Sequence, residues 1–427
     1  MSRSRPALAS ILMAVALAAV SALPAVSAAQ GSFHLVFGVT GSSDGRDADA
    51  ATAIVHTAGG DLVVAGSGAS YASDDGRRNT HPLLARVGSD GVLRWQRIYD
   101  ALENRDVIAL GARGEEQFAL LRKESLVRDS RSDAVNLVTE VTLHRIDDRG
   151  NASDALATLR DLGSAEAVPV IADQELTQFL LFARGAPTGV SRPAAQVFRV
   201  DLRGRVTAWS VTGALGNAQW PQQVGADEFV FAQQHQGPEH APGSVGPHTD
   251  LVRLHATGEL EVVATVAEGL CYSVAASRNG MVCARAPLLR SDRSSDVIVA
   301  FSAAGQERWR RDLEPGVTVE RMRLLDSGDL IYADRRAKHP AVSRLDPSGR
   351  LLWSRTMSSA GEYVFLADID ALDDGRLAFL GSTGPWNGFT STDTSALLLV
   401  TGAPERDLGS LEPISNIIDV SRDAGRR

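Results

Sequence analysis

Three segments of this chain repeat one pattern: VGSDGVLRWQRIYD (87–100), FSAAGQERWRRDL (301–313) and RLDPSGRLLWSRTM (344–357). In each segment a short apolar run leads into a polar turn with a glycine, and a tryptophan stands four residues after that glycine. A short loop with glycine near its end is typical of a β-hairpin in which one residue takes a positive φ. The pattern therefore predicts two antiparallel strands joined by a tight turn.

The hairpin recurs along the chain, and a second strand pair precedes it. Seven turn glycines lie 44 to 59 residues apart: Gly91, Gly150, Gly204, Gly258, Gly305, Gly349 and Gly402. The upstream strand pair is clearest at 51–67, 273–285, 321–334 and 366–382. Four short antiparallel strands in a period of this length are the signature of a β-propeller blade. A β-sandwich array, the alternative all-β fold, would not need one four-strand period throughout the chain.

The repeat count sets the expected number of blades. Seven repeats predict an all-β, seven-bladed β-propeller of four-stranded antiparallel blades, with six or eight blades still open because repeats two to four are degenerate. The last repeat supplies only three good strands, and SFHLVFGVTGSSDG (32–45) near the N-terminus looks like the missing one. Pairing this strand into the last blade would close the ring and leave no large open sheet edge.

The residues of the first repeat resemble a known group. GGDLVVAGS (59–67) followed by LLARVGSDGVLRWQRIYD (83–100) resembles the WQKTYGG-like repeats of bacterial exported β-propellers. This resemblance implies a fold and export, and it implies no single activity. The G-x-x-x-W element is also similar to the blade-docking motif of quinoprotein dehydrogenases. The chain has no C-x-x-C-H haem motif and no recognisable quinone-binding set, so we expect no cofactor.

The first 28 residues have the form of a secretory signal peptide. Arg3 and Arg5 precede an apolar run at 11–20, and Val26-Ser27-Ala28 is a small-residue cleavage site. No cysteine stands directly after that site, where a lipid anchor would be attached, and no second apolar run is long enough to span a bilayer. We expect an exported protein, periplasmic or secreted, with a propeller domain at 29–410 and a C-terminal tail at 411–427.

The charge limits the classes of partner. The formal net charge is −9, and it becomes −11 when the two arginines of the signal peptide are removed. An acidic chain of this kind argues against nucleic acid and against anionic membrane surfaces as partners. We expect a monomer that binds a protein, a peptide or a glycan and does not insert into membranes.

The recurring tryptophans and arginines have a structural interpretation. Trp95, Trp309 and Trp353 fall on the outermost strand of a blade, where a flat ring can wedge between neighbours. An arginine stands five residues before the turn glycine in five repeats: Arg86, Arg145, Arg199, Arg253 and Arg344. A ring of arginines could bind a polyanion, but each shares a strand face with a mostly apolar position two residues earlier. We therefore predict that these arginines join neighbouring blades through acids or carbonyls.

The two cysteines, Cys271 and Cys283, lie twelve residues apart on one predicted hairpin with Asn279-Gly280 as its turn. In an oxidising compartment a disulfide is the favoured reading of such a pair. Two buried free thiols are the alternative.

The candidate binding residues lie in long connections between second and third strands. These connections, at 68–81, 123–136, 185–195, 235–250, 287–296 and 381–395, should gather on one face of the ring. The aromatic candidates predicted for that face are Tyr71, Trp220, Trp386 and Phe389. His235, His240 and His248 share one loop, but their spacing matches no compact metal motif, so we interpret them as solvated loop residues and expect no metal.

Two functions are compatible with this sequence. It contains no G-x-S-x-G elbow, no H-E-x-x-H and no glycine-rich phosphate loop, so no catalytic residue is assigned. The first hypothesis is an exported propeller that binds its partner through the face with the long loops. The second is an extracellular propeller enzyme, a polysaccharide hydrolase or lyase or a quinoprotein-like protein, with its site at the axial end of the channel. Three or more ionisable side chains converging in an axial pocket would contradict the first hypothesis.

Overall fold

The computed structural model describes most of the expected propeller region. The described residues are 33–37, 48–71, 78–99, 102, 105–128, 135–172, 175–185, 195–213, 215, 218–235, 247–267, 269–287, 296–336, 339–356, 362–372, 375–385 and 395–401. The expected signal peptide and C-terminal tail lie outside them. Within these ranges the chain forms β-strands and turns, with no helix long and apolar enough to cross a membrane.

The strands of the described residues are numbered here in chain order. They are β1 Phe33–Phe37, β2 Ala48–His56, β3 Leu62–Tyr71, β4 Arg78–Val87, β5 Leu93–Ile98, β6 Asp106–Arg113, β7 Glu116–Arg128, β8 Val135–Ile146, β9 Ala157–Ala172, β10 Glu175–Gly185, β11 Ala195–Asp201, β12 Val206–Trp209, β13 Ala218–Gly225, β14 Glu228–His235, β15 His248–Leu254, β16 Leu260–Val266, β17 Gly269–Ser277, β18 Gly280–Pro287, β19 Val297–Ser302, β20 Glu307–Asp312, β21 Thr318–Leu324, β22 Leu330–Arg336, β23 His339–Leu345, β24 Leu351–Thr356, β25 Glu362–Ala371, β26 Leu377–Pro385 and β27 Ser395–Val400.

Antiparallel pairing of these strands gives six sheets. Four sheets contain four consecutive strands each, β2–β5, β13–β16, β17–β20 and β21–β24. A fifth has the order β1-β27-β26-β25, so the N-terminal strand occupies the fourth place beside the last three strands. Its register runs from Phe33 opposite Val400 to Phe37 opposite Ala396. The N-terminal strand therefore pairs where the sequence predicts.

The sixth sheet differs from the expected pattern, because it contains seven strands in the order β6 to β12. Strand β9 pairs with β8 up to Leu162, and from Leu162 onward it pairs with β10. At this change of partner Asp161 has a φ of 57°, a value that aspartate tolerates better than most residues. The sequence predicts separate fourth and first strands here. The connection between them is too short to leave the sheet, so one bent strand serves both four-strand groups.

The first strands of successive groups contact one another in chain order. Strands β2, β6, β9, β13, β17, β21 and β25 each touch the next, and β25 also touches β2. Apolar side chains fill the space between each pair of neighbouring groups in seven separate buried clusters. Four-stranded antiparallel units arranged around an axis, each burying its faces on its neighbours, constitute a β-propeller. The fold therefore has an axial channel lined by first strands.

The tryptophans of the repeated pattern join neighbouring groups. The indole N–H of Trp95 donates to the Asp148 carbonyl in the next hairpin turn (2.9 Å), and that of Trp309 donates to the Pro347 carbonyl (3.1 Å). The Trp309 ring covers Gly349 so closely that a Cβ there would lie 2.6 Å from the indole Cδ2. These rings are part of the packing between blades, as predicted, and they are not ligand platforms.

The recurring arginines are engaged by carboxylates. Arg86, which is buried, donates through Nε to Asp61 of its own sheet (2.8 Å) and through Nη2 to Glu115 in the next group's turn. Arg344, also buried, donates to Asp329, whereas the half-exposed Arg145 lies 3.2 Å from Glu116. Because their charges are already neutralised, these arginines do not form a site for a polyanion.

The two cysteines are joined in the structure. Cys271 on β17 and Cys283 on β18 form a disulfide with their Cα atoms 5.8 Å apart, and both side chains are fully buried. The bond links the first two strands of the sheet β17–β20 and packs in the apolar cluster between this sheet and the preceding one.

Candidate functional site

A repeated bulge shapes the wall of the axial channel. In β2, β6, β13, β17, β21 and β25 the register with the second strand shifts by extra residues near mid-strand. A bulge leaves its extra residue unpaired and re-aims the neighbouring side chains. Several of these side chains reach the next first strand: the Tyr272 hydroxyl accepts from the Val319 N–H (3.1 Å), and the Glu320 carboxylate accepts from the Leu366 N–H (3.1 Å).

The channel encloses a cavity of about 730 Å³, and residues from all seven first strands line it. A volume of this size is typical of small-molecule sites. Its charged lining residues in the described part of the chain are Glu166, Arg278, Arg321, Arg323, Asp326 and Asp368. The channel therefore brings several ionisable side chains together at the centre of the fold.

Asp368 on β25 is the most perturbed acid of the channel. Burial, reinforced by the neighbouring Asp370 carboxylate, raises the pKa of Asp368 to about 6, against the opposing effect of Arg323. Its carboxylate accepts from the backbone N–H of Ile54 (3.3 Å) on the adjacent β2 and from that of Ile369 (2.8 Å). Asp368 can therefore exchange a proton near neutral pH while the backbone of two strands holds it in place.

Glu166 lies across the channel, on β9. Partial desolvation by the channel walls raises its pKa, against the smaller opposing effects of Arg122 and Arg321. Its side chain remains accessible from the channel. The channel thus holds two carboxyl groups on separate walls, each with a pKa above the ordinary value.

Arg321 on β21 is the cation at the centre of this arrangement. Its Nε donates to the Ala367 carbonyl on β25, and its Nη1 donates to the Glu320 carbonyl (2.8 Å). These bonds fix the guanidinium, which interacts electrostatically with Glu166 on the opposite wall. The exposed Arg323, two residues along the same strand, donates to Asp370 (3.3 Å). A fixed guanidinium beside acids of raised pKa can bind a carboxylate or phosphate group.

Two glutamines of β13 use their side-chain amides to hydrogen-bond the backbone of the neighbouring first strands. Gln222 donates to the Val274 carbonyl (2.7 Å) and accepts from the Ala276 N–H (2.7 Å) on β17. Gln223 pairs in the same way with the N–H (2.8 Å) and carbonyl (2.9 Å) of Ile171 on β9. They keep the neighbouring strands in position, so they are not free to hold a ligand.

The aromatic candidates are not found together. Trp220 was predicted in an open-face loop, but it lies within strand β13, lines the axial cavity and packs against the apolar cluster beneath it. Its φ of 51° accompanies the bulge of that strand. Tyr71 is the last residue of β3, and Trp386 and Phe389 lie outside the described residues. Trp220 is therefore the one aromatic candidate that the described residues place at a cavity.

The histidine candidates are brought together by strand pairing. His235 ends β14 and His248 begins β15, and the register places them directly opposite each other. Their rings stack with centroids 4.6 Å apart, and Nε2 of His235 lies 3.1 Å from Oδ2 of Asp250. His240 lies outside the described residues. The sequence interpretation has His235 and His248 as solvated loop residues; the structure places both in paired strands instead of a loop, and both remain partly exposed.

A second cavity of about 730 Å³ lies between β5 and the turn after β8. There Arg105 donates to the Thr142 hydroxyl (3.2 Å), which lies 3.1 Å from His144 Nε2, and His144 Nδ1 lies 3.0 Å from the Ser153 carbonyl. Burial lowers the pKa of His144, so its ring is neutral. With the proton on Nδ1, every donor and acceptor of this hydrogen-bond network has a partner. The network is internally complete and gives no sign of a missing ligand.

The charged channel residues had a weak signal in the sequence. Glu166, Arg321 and Asp368 interrupt apolar alternation within first strands, in SAEAV (164–168), VERMRL (319–324) and LADID (366–370). A charge inside a predicted buried strand indicates a special environment. Nothing in the sequence shows that these three strands face the same channel.

No protein-family model and no curated protein matches the chain. Among solved structures, the β-propeller domain of the Trilobed protease from Pyrococcus furiosus is 8% identical over 84% of this chain and 99% of its own, with a TM-score of 0.48. Virginiamycin B lyase from Staphylococcus aureus is 10% identical over 86% and 99%, with a TM-score of 0.47. Because both scores are below 0.5, the fold assignment rests on the strand pairing of this chain, and no property of those proteins is transferred to it.

Proposed function

We propose that this protein is an exported seven-bladed β-propeller whose axial channel binds a small acidic sugar. The blade number follows from β9, which serves as the fourth strand of one group and the first strand of the next. Counted twice, it brings the strands to twenty-eight positions, four for each of seven blades. Export, in the manner of the bacterial propellers that the first repeat resembles, is supported by the form of residues 1–28.

One observation carries the proposal for the ligand. Arg321 is fixed on one channel wall, Glu166 faces it from another, and Asp368 lies on β25, the first strand next to that of Arg321. A guanidinium binds the carboxylate of a uronic acid, and carboxyl groups of raised pKa can donate to or accept from its hydroxyls. The half-buried indole of Trp220 offers an apolar surface for a sugar ring.

This arrangement changes the preferred location of the site. The sequence favours the face with the long loops, and it sets convergence of three ionisable groups in an axial pocket as the contradicting result. Glu166, Arg321 and Asp368 all line the axial cavity, and this supports the channel as the location of the site. We therefore place the proposed binding site in the channel and not on the long-loop face.

The experiment is calorimetric titration of the purified protein with galacturonate and its short oligomers at pH 6, with glucose and inorganic phosphate as comparison ligands. We expect binding of the uronate that is weakened about tenfold or more by Arg321→Gln, the size typical of losing a charged hydrogen-bond partner. Arg310→Gln is the matched control, because Arg310 lies on an outer strand and pairs with Glu307. Uronate binding that Arg321→Gln leaves unchanged, or no binding at all, would overturn the proposal.

A second function at the same site is cleavage of an acidic polysaccharide. Asp368 supports this proposal, because it lines the axial cavity and its pKa of about 6 suits a general acid or base near neutral pH. Incubation with polygalacturonate, followed by chromatography of the products, tests this function. Turnover that Asp368→Asn abolishes without loss of uronate binding would establish catalysis, and intact polymer would exclude it for that substrate.

A further inference from the structure

We infer that His235, His248 and Asp250 form a site for a zinc ion in the sheet β13–β16, at the end where β14 stops and β15 begins. This site is separate from the axial channel, and nothing in the proposed function depends on it. The three residues come from two adjacent antiparallel strands, β14 and β15. They flank the segment 236–247, which connects those strands.

Strand geometry places all three side chains on one face. His235 and His248 are direct partners across the pair, and Asp250 lies two residues beyond His248 on the same strand. Because side chains alternate along a strand, residues two apart share a face, and so do direct cross-strand partners. One potential ligand atom from each of the three side chains lies within 4.8 Å of the other two.

The donor set suits zinc better than calcium or magnesium. Two imidazoles and one carboxylate leave one tetrahedral position open, as in zinc sites with three protein ligands and a water. Calcium and magnesium prefer oxygen ligands, and only one of the three residues supplies oxygen. Zinc–ligand distances of about 2.0–2.2 Å require ligand atoms somewhat closer than 4.8 Å, which side-chain rotations can supply.

Two further observations point to a ligand at this position. The buried Nε2 atom of His235 makes no hydrogen bond, although Asp250 Oδ2 lies 3.1 Å away. The other carboxylate oxygen of Asp250 accepts from the Thr265 hydroxyl on β16 (2.7 Å). A metal-ligating carboxylate is commonly oriented by such an outer hydrogen bond.

A zinc ion at this site would link the two strand ends that flank the longest connection in this sheet. His235 is the last residue of β14 and His248 the first of β15, so one ion would join both ends of the connecting segment. An ion that binds this folded site and not the unfolded chain stabilises the folded state by mass action. We therefore expect zinc to raise the melting temperature.

The experiment is titration of the metal-free protein with Zn²⁺, followed by calorimetry and by the melting temperature, and with Co²⁺, followed by its visible absorption. We expect one ion per chain, a Co²⁺ spectrum of tetrahedral type, and loss of both on His235→Gln or His248→Gln. Thr265→Val should weaken Zn²⁺ binding about tenfold through the outer hydrogen bond alone.

His255→Gln is the matched control, because His255 lies at the opposite end of β15 between Glu228 and Glu261, whose oxygens are 3.4 and 3.0 Å from its ring nitrogens. It should bind Zn²⁺ as the native protein does. Absence of Zn²⁺ binding, or binding that His235→Gln leaves unchanged, would show that the cluster is only an ion pair. If His248→Gln does not fold, the Co²⁺ spectra of the native protein and of His235→Gln decide the question.

Discussion

Replacement of Gly349 by alanine tests the junction between neighbouring blades. Gly349 ends the turn between β23 and β24 with a φ of 82°, a left-handed conformation. The Trp309 indole from the preceding sheet lies directly over it, with the place of a Cβ 2.6 Å from Cδ2 and 3.0 Å from Cγ. The same indole donates to the Pro347 carbonyl (3.1 Å) in that turn. Alanine must therefore be strained and must also displace the ring.

The expected cost has two parts. A non-glycine residue in the left-handed region costs about 1–2 kcal/mol. Forcing an extra methyl group against a packed ring costs about 1–3 kcal/mol more. Gly316→Ala isolates the first part, because Gly316 has a φ of 81° but no atom within 4 Å of an added Cβ. We expect Gly349→Ala to destabilise the protein by about 2–5 kcal/mol and Gly316→Ala by about 1–2 kcal/mol.

Urea denaturation followed by circular dichroism, with melting temperatures as a second measure, compares the two variants. In a Trp309→Leu background, Gly349→Ala should lose most of its additional cost, because the smaller side chain leaves room for the methyl group. Equal destabilisation by Gly349→Ala and Gly316→Ala in the native background would refute the tight docking of Trp309 on this turn.

Two other predictions concern charged groups. Arg86→Met should cost about 1.5–3 kcal/mol of stability, because it removes the charged hydrogen bond to the largely buried Asp61. Arg145→Met should cost less than about 1 kcal/mol, because its ion pair with Glu116 is half-exposed; equal losses in denaturation would contradict this. Because the folded-state pKa of Asp368 is raised to about 6, the native state loses stability as pH rises from about 4 to 6, and the full penalty remains above that range. Asp368→Asn should therefore raise the melting temperature at pH 8 and change it little at pH 4, and a gain that does not grow with pH would contradict the assignment.

The hairpins could be predicted because a turn is decided within a few residues. Gly91, Gly305 and Gly349 all have a positive φ of about 80° at the predicted turns, and the tryptophan four residues later lies on the outer strand in each case. The cysteine hairpin followed for the same reason, since a turn near Asn279-Gly280 fixes which strands are neighbours. The bend in β9 was missed, because nothing within its own residues shows that its two halves pair with different strands.

By itself the sequence determined the all-β class, the four-strand period and the pairing of the N-terminal strand in the last sheet. The first two features depend on local backbone conformation and on the alternation of apolar residues, and the third follows from the strand that the last repeat lacks. Only the tertiary structure decided which side chains meet. Arg321 and Glu166 belong to distant repeats and face each other because their strands line the same channel, and His235 and His248 become partners through the register of one strand pair. Which side chains lie close together depends on the packing of blades and on strand register, and no short segment of the chain encodes either on its own.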